Sequence, residues 1–212
     1  MLDIDGFILA GGASRRMGTD KARLRLGEWT FVERIRQALS AIAARISLVG
    51  GRPAANVWEG PVVPDIYTDW GALGGLHAAL AHAQQPWVAI VACDLPFVTA
   101  ELFTYLAACR DQFAAVVPAQ ADGRWQPLCA LYARQPCLVE VEKLIASGER
   151  RPRALLQRVP TRRVEAHELA HLANASSLLL NINTPEDYAL ARKLSTRSGH
   201  SEPPRKKIER AG

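Results

Sequence analysis

Residues 4–21, IDGFILAGGASRRMGTDK, join a short apolar run to a glycine-rich loop that carries Arg15, Arg16 and Lys21. An apolar run ended by Gly11 and Gly12 is typical of a buried strand. Glycines let the backbone approach a ligand and aim N–H groups at an anion, and three cations suit a polyphosphate. The loop has neither the Lys-Ser/Thr of a Walker A motif nor the G-x-G-x-x-G of a dinucleotide fingerprint. It predicts a phosphate site of another kind, or else a tight turn whose arginines face solvent.

After this loop, strand-like apolar runs alternate with segments of helical spacing. The pattern predicts strands at 4–9, 46–49, 62–63, 87–92, 114–117, 128–132, 162–164 and 178–182, and helices at 30–44, 73–83, 100–108 and 185–194. Thr99 and Thr184 are the expected N-caps of the last two helices, and Pro185 suits a first helical position. The alternation predicts an α/β fold with three layers, a Rossmann-like, mostly parallel (mixed) sheet covered by helices on both faces. Ligands of such sheets bind beyond the carboxyl ends of the strands.

The composition indicates one domain and a short basic tail. The chain has 212 residues, of which 49% are hydrophobic, and its net charge is +5. Residues 195–212 hold five Lys or Arg and two Glu, so +3 lies in the tail and only +2 in the rest. We expect a domain at 1–194 and a disordered, solvated tail at 195–212, with a weak anionic contact as the alternative. A nearly neutral body predicts no nucleic-acid partner.

Cysteine usage and the apolar runs bear on the compartment. The four cysteines show no CxxC spacing, which favours reduced thiols. The chain has no apolar run of about 18 residues, and acidic residues follow Met1 where a signal peptide carries positive charge. These observations predict a cytoplasmic protein with no membrane partner.

Further segments accompany the glycine-rich loop in a fixed order along the chain. They are Asp65, GALGGL at 71–76, CDLP at 93–96, QPL at 126–128, GERR at 148–151 and NINTPE at 181–186. With Leu-Ala-Gly-Gly, Arg-Met-Gly and Asp-Lys of the loop, they resemble the nucleotidyltransferase superfamily, and within it most closely the molybdenum cofactor guanylyltransferases. The resemblance covers about residues 4–194.

This resemblance implies transfer of GMP from GTP to the phosphate of molybdenum-molybdopterin, with release of pyrophosphate. It implies Mg²⁺ as cofactor, GTP and a molybdopterin-type acceptor as partners, and transient contact with cofactor-delivering proteins. The nucleotide-binding positions it implies are Leu9, Ala10, Gly11, Gly12, Lys21, Asp65, Gly75 and Asp94. The acceptor-binding positions are Arg150, Arg151, Asn181 and Asn183. Arg16, Lys21 and Asp94 are the implied catalytic residues, with Asp94 as the metal ligand.

Each of these positions also has a plainer interpretation. Asp94 follows a strand, where a carboxylate suits Mg²⁺, but it also suits a helix cap or a turn. Asp65 fits a turn, and the glycines at 71–75 fit either ligand approach or close helix packing. Asn181 and Asn183 alternate on the predicted strand 178–182, so both are expected on one face, with Asn183 as a capping residue the alternative. The arginines suit a phosphate or a solvated surface.

The implied reaction needs positioning more than proton transfer. The attacking phosphate oxygen is largely ionised at neutral pH, so no general base is required, and charge neutralisation by Mg²⁺, Lys21 and Arg16 is the expected contribution. The family's guanine-contacting Asn is absent from 48–52, and backbone groups of Val49 or Gly50 are the expected substitutes. A cytidylyltransferase acting on the same pterin and a nucleotide-binding module without turnover remain as alternatives.

Overall fold

The computed structural model describes residues 2–10, 23–50 and 58–197. Its strands are β1 (Ile4–Leu9), β2 (Arg25–Leu26), β3 (Trp29–Thr30), β4 (Arg45–Val49), β5 (Val62–Val63), β6 (Trp87–Ala92), β7 (Ala115–Pro118), β8 (Cys129–Ala133) and β9 (Thr161–Val164). Its helices are α1 (Phe31–Leu39), α2 (Gly71–His82), α3 (Ala100–Ala108), α4 (Arg134–Ala146) and α5 (Pro185–Arg197), with a 3₁₀ helix at Pro152–Gln157. None of the helices in these ranges has the length and apolar character that a membrane crossing requires.

In the described part of the chain, one large sheet has the strand order β5-β4-β1-β6-β8-β7-β9, and β2 and β3 form a separate hairpin. β1 pairs in parallel with β4 on one side and with β6 on the other. β8 runs antiparallel to both of its neighbours, β6 and β7, whereas β5 and β9 are parallel to the strands beside them. The predicted mixed, mostly parallel sheet is confirmed.

Helices cover both faces of this sheet. Along β6, Ala89 and Val91 join the apolar cluster that contains the buried faces of α1 and α3. Val88 and Ile90 join the cluster that contains the buried residues of α2 and α4. Successive side chains of a strand point to opposite faces, so this alternation places one helix pair on each side. The predicted three layers are confirmed.

The helix α1 begins as the sequence predicts and ends earlier. Thr30 and Glu33 form a reciprocal capping box, in which each side chain accepts a hydrogen bond from the other's backbone N–H. The prediction of helix as far as residue 44 is wrong, because the helix ends at Leu39. The backbone N–H groups of Ile42 and Ala43 both donate to the carbonyl of Leu39. This turn, and not a further helical turn, buries the last apolar residues of the segment.

The predicted strand at 178–182 is absent. The segment 174–180 consists of turns, with the N–H of Ser177 donating to Asn174 O and that of Leu180 to Ser177 O. Its apolar residues are buried against helices: Ile182 packs in a small cluster with Phe31 and Ala191. The apolar run reflects this packing of an irregular segment.

The structure adds one helix that the pattern did not predict. In α4 the buried residues Cys137, Val141, Leu144 and Ile145 follow helical spacing. The last helix, α5, begins at Pro185 as predicted and continues to Arg197, so ordered structure extends past the predicted domain end at 194. The rest of the basic tail, residues 198–212, lies outside the described residues, and its disorder stays a prediction.

Candidate active site

The end of β1 lies at the centre of the parallel half of the sheet. Leu9 pairs with Val49 of β4 and with Ala92 of β6. The Leu9 carbonyl accepts from Cys93 N at 3.0 Å, and Ala10 N donates to Val49 O at 2.9 Å. The glycine-rich loop therefore leaves the sheet between the ends of two neighbouring strands. Gly11, Gly12, Arg16 and Lys21, all predicted site residues, lie outside the described residues.

Leu9, Asp65 and Gly75 are brought together at this edge. A Cβ placed on Gly75 would lie 3.6 Å from both terminal methyl carbons of Leu9 and 3.9 Å from Asp65 Oδ1. Both distances are ordinary contacts, so a methyl group fits there. The missing side chain of Gly75 leaves room beside a buried leucine and a carboxylate.

The carboxylate of Asp65 is itself unusual. Its Oδ1 is buried and has no hydrogen-bond partner among the described residues. Burial raises the pKa of this carboxyl above its ordinary value. A buried acceptor without a donor is costly unless a ligand supplies one. The described structure therefore leaves Asp65 Oδ1, which lies near Gly75, without the donor that a buried acceptor requires.

The other glycines of α2 have different roles. Gly71 has φ +57°, a left-handed conformation that glycine adopts without strain. A Cβ on Gly74 would lie 2.9 Å from the Tyr67 carbonyl oxygen and 3.0 Å from the Trp70 Cβ. Close packing explains Gly74, whereas Gly75 faces the space beside Leu9 and Asp65. Close helix packing is thus found at Gly74, and ligand approach at Gly75 stays a prediction.

Asp94 lies directly beyond β6, half-buried, in the turn in which Leu95 N donates to Ala92 O. It does not cap α3, because Thr99 is the N-cap and its side chain accepts from Leu102 N. The Asp94 carbonyl accepts from Ile182 N at 2.9 Å. This bond joins the segment that contains Asn181 and Asn183 to the carboxyl end of β6.

Asn181 and Asn183 are therefore near Asp94, but not as neighbours on a strand face. Asn181 Oδ1 accepts a hydrogen bond from Gln126 Nε2 at 2.8 Å. Asn183 N donates to the carboxylate of Asp187, which also accepts from Thr184 N, just before α5. The expectation of two amides on one strand face is wrong, because the segment folds back between β6 and α5. The backbone of Asn183 takes part in the helix start.

The arginines after α4 reach the same edge because β8 is reversed. α4 starts beside the amino end of β6, where Arg134 N donates to Pro86 O, so it runs back toward the carboxyl ends of the parallel strands. There Arg150 Nη1 donates to Asp69 O at 2.9 Å, and its guanidinium lies 4.9 Å from the ring centre of Trp70. The loop after α4 is thus joined to the loop after β5.

Arg151 makes a different contact. Its Nε and Nη2 donate to the two carboxylate oxygens of Glu149 at 2.8 and 2.6 Å. The hydrogen bonds from Arg151 lower the pKa of Glu149 to about 2. Both arginines are exposed. An anion that binds Arg151 would have to compete with Glu149. In the described structure, no acidic side chain pairs with the positive charge of Arg150.

Two of the backbone groups expected to replace the family's Asn form hydrogen bonds within the sheet. Val49 O accepts from Ala10 N, and Gly50 N donates to Val63 O. The Gly50 N–H is therefore engaged within the sheet, and recognition of the base by the other backbone groups of Val49 and Gly50 stays a prediction. The Val49 carbonyl retains one lone pair.

Among the described residues, no group of three or more His, Cys, Asp or Glu side chains is placed to hold a metal ion. His77 of α2 is buried, with Nε2 3.8 Å from Glu142 Oε1 of α4. Burial lowers the pKa of His77 and outweighs the opposite effect of Glu142. The four cysteines are free thiols, as predicted.

Sequence reasoning missed the contribution of Gln120 and gave no role to Gln126. Both donate to Asn181 from the hairpin between β7 and β8. Gln126 had a signal in the quoted segment 126–128, while Gln120 had none. The sequence singles out Trp70 and Trp125 as tryptophans to be checked as stacking platforms, and Arg150 stacks on Trp70.

Comparison with solved structures places this fold among the nucleotidyltransferases. Molybdopterin-guanine dinucleotide biosynthesis protein A from Archaeoglobus fulgidus superposes with a TM-score of 0.77 at 24% identity, over 91% of this chain and 99% of that one. The 2-C-methyl-D-erythritol 4-phosphate cytidylyltransferase of Thermus thermophilus gives 0.65 at 19% identity, over 90% and 98%. At such identities the likeness is one of fold. This chain shares the fold of both proteins.

Sequence comparisons give the family. Residues 6–169 match the model of the MobA-like NTP transferase domain. A probable molybdenum cofactor guanylyltransferase of Pelotomaculum thermopropionicum is 33% identical over 199 residues, 93% of this chain and 96% of the relative. A molybdenum cofactor guanylyltransferase of Desulfosudis oleivorans is 30% identical over 191 residues, 89% and 94%. The chain belongs to the family of MobA-like NTP transferase domains.

Proposed function

We propose that this protein transfers GMP from GTP to the phosphate of molybdenum-molybdopterin, forming the guanine dinucleotide form of the cofactor and pyrophosphate. The observation that carries the proposal is the gathering of two groups of residues at one sheet edge. Leu9, Asp65 and Gly75 come together beside the end of β1, with the Asp65 carboxylate and the Leu9 side chain next to Gly75. Asp94 and the Asn181 segment meet at the end of β6.

The first group is the proposed nucleotide side. Gly75 has no side chain beside Leu9 and Asp65, and Asp65 Oδ1 is an acceptor that needs a donor. A ribose hydroxyl or a base N–H of GTP supplies that donor. Leu9 and Ala10 begin the loop whose Gly11, Gly12 and Lys21 we propose to hold the triphosphate.

The second group is the proposed acceptor side. Arg150 is exposed beside Trp70, and an arginine there can pair bidentately with the phosphate of the pterin. Asn181 and Asn183 lie next to the Asp94 turn, and we propose that they bind the pterin end of the acceptor. Arg151 assists once the incoming phosphate competes with Glu149.

The residues present fit a Mg²⁺ site at Asp94. Mg²⁺ prefers oxygen ligands and is commonly held by one or two carboxylates together with substrate phosphates and water. Asp94 supplies a carboxylate at a strand end, and the orphaned oxygen of Asp65 belongs to the same edge. When bound, Mg²⁺ would neutralise charge on the triphosphate of GTP.

The chain's own residues then have a limited chemical task. The acceptor phosphate is already ionised, so it attacks the α-phosphorus without a general base and pyrophosphate leaves. Buried His77 is not needed for proton transfer, in agreement with its position between α2 and α4. We propose that Lys21 and Arg16 offset the negative charge of the two anions as they approach.

The test is acceptor-dependent pyrophosphate release with GTP, CTP, ATP and UTP in parallel, each with Mg²⁺ and molybdenum-molybdopterin. We expect release with GTP alone and a guanine dinucleotide product by mass spectrometry. Asp94→Asn should abolish release. The matched control is Asp111→Asn, which changes an exposed acidic residue after α3 and should leave release unchanged. Release with CTP would make the protein a cytidylyltransferase. Nucleotide binding without release would leave a binding module.

We also propose a cytoplasmic location and transient contact with cofactor-delivering proteins. The four free thiols suit a reducing compartment. We propose that Arg150 and Arg151, both exposed, face the incoming acceptor.

A further inference from the structure

Three side-chain amides meet beside the Asp94 turn. Gln126 Nε2 donates to Asn181 Oδ1 at 2.8 Å, and Gln120 Nε2 donates to the same oxygen at 3.4 Å. Gln120 Nε2 also donates to the Leu179 carbonyl at 3.1 Å. Two glutamines of one hairpin therefore hold both the side chain and the backbone of the segment that carries Asn181.

These bonds decide which atoms Asn181 can offer to a ligand. A carbonyl oxygen has two lone pairs, and both of those on Oδ1 face an amide donor. The amide nitrogen Nδ2 makes no hydrogen bond to the described residues. Asn181 thus presents its amide N–H groups as hydrogen-bond donors. It suits a ligand group with acceptor oxygens and does not suit a ligand group that donates.

The glutamines are the fixed partners in this arrangement. Gln126 is 8% exposed, its N–H donates to Pro118 O, and its carbonyl accepts from Cys129 N, so it is held between β7 and β8. Asn181 lies in an irregular segment outside any helix or strand. Its orientation is set by the hairpin more than by its own backbone.

We propose that Gln126, assisted by Gln120, is a positioning residue that presents the Asn181 amide N–H groups to an oxygen of the acceptor substrate. The inference rests on the proposed function, in which Asn181 binds the acceptor. The Ile182 N to Asp94 O bond puts that donor next to the proposed metal ligand. The class of group recognised is a phosphate or carbonyl oxygen.

Gln126→Glu tests this because a carboxylate of the same size cannot donate to Asn181 Oδ1. We expect the KM for molybdenum-molybdopterin to rise about tenfold, as for loss of one oriented hydrogen bond, with kcat less affected. The stabilisation of the protein by Mg²⁺ and GTP should not change. Gln37→Glu adds the same charge on the exposed face of α1 and should leave both quantities unchanged. Gln120→Glu should act in the same direction with a smaller effect, since its bond is longer.

A double-mutant cycle separates positioning from general support of the fold. If Gln126 acts through Asn181, Gln126→Glu adds little to the acceptor KM of Asn181→Ala. Additive effects in the cycle, or an unchanged acceptor KM in both glutamate variants, would overturn the inference while leaving the proposed function intact. Should Gln126→Glu fail to fold, Gln120→Glu decides the matter through the same cycle. Absence of GMP transfer by the unaltered protein would overturn both.

Discussion

Replacing Asp65 by asparagine should make the ligand-free protein more stable and its binding of GTP weaker. Asp65 Oδ1 is buried without a partner, and burial raises the pKa of the carboxyl. A raised folded-state pKa means that ionisation destabilises the fold above the unfolded value, near pH 3.8. At neutral pH the ligand-free Asp65→Asn protein should therefore be more stable, and this gain should vanish on acidification toward pH 3.8.

The expected size follows from the half-buried position of the side chain. An unsatisfied buried polar group costs about 1–3 kcal/mol, and we take about 1 kcal/mol for a carboxylate partly reached by water. For a chain of this length that corresponds to a rise of roughly 2–4 °C in unfolding temperature. Charge-assisted hydrogen bonds are about twice as strong as neutral ones, so GTP should bind about tenfold more weakly.

Thermal unfolding with and without Mg²⁺ and GTP measures both effects in one experiment. Asp111→Asn, which removes an exposed carboxylate on another loop, should change neither the unfolding temperature nor the affinity. A ligand-free Asp65→Asn protein less stable than the parent would refute the unsatisfied-carboxylate argument. Unchanged GTP affinity would remove Asp65 from the nucleotide side.

Three other perturbations follow from the same geometry. Gly75→Ala should keep or slightly raise the unfolding temperature but weaken GTP binding. Gly74→Ala should lower the unfolding temperature by several degrees, because its Cβ would lie 2.9 Å from a backbone oxygen. Equal changes of the two variants in calorimetry would contradict this distinction. Because burial lowers the pKa of His77, the unfolded chain binds more protons below about pH 6.5 and stability falls there. Denaturant titrations between about pH 5 and 7 should show a flatter profile for His77→Gln, and an unchanged profile would count against this assignment. Arg150→Ala should lose the stacking on Trp70, which contributes about 0.5–1 kcal/mol to stability. It should also raise the KM for the acceptor and leave GTP binding unchanged. A change in GTP affinity instead would assign Arg150 to the nucleotide side.

The parallel half of the sheet was predictable because its signals are local. Each of β1, β5 and β6 is an apolar run followed by a turn, so the first polar residue after the run lies at the carboxyl end of the strand. Asp65 and Asp94 were therefore assigned to strand ends without any knowledge of strand order. Thr99 and Thr184 were recognisable as caps because capping depends on residues within one turn.

The antiparallel half was harder, since its organisation depends on distant contacts. Gln126 and Asn181 are 55 positions apart, and the sequence around neither residue predicts the hydrogen bond between them. The apolar residues around Ile182 have the composition of a strand, but tertiary packing against α5 determined their conformation. The helix α4 carries Pro136 in its first turn, a position that tolerates proline although the residue usually marks a break.

The reversal of β8 makes the two sides of this molecule separable in evolution. The residues that we propose for the nucleotide come from the loops that follow β1, β5 and β6. Arg150 and Gln126, which we propose for the acceptor side, belong to chain segments flanking β8, the reversed strand of the described sheet. Insertions or substitutions after α4, or in the β7–β8 hairpin, leave the register of β4, β1 and β6 untouched. A lineage can thus retune which molecule receives the nucleotide while the apparatus that holds the donor is inherited unchanged.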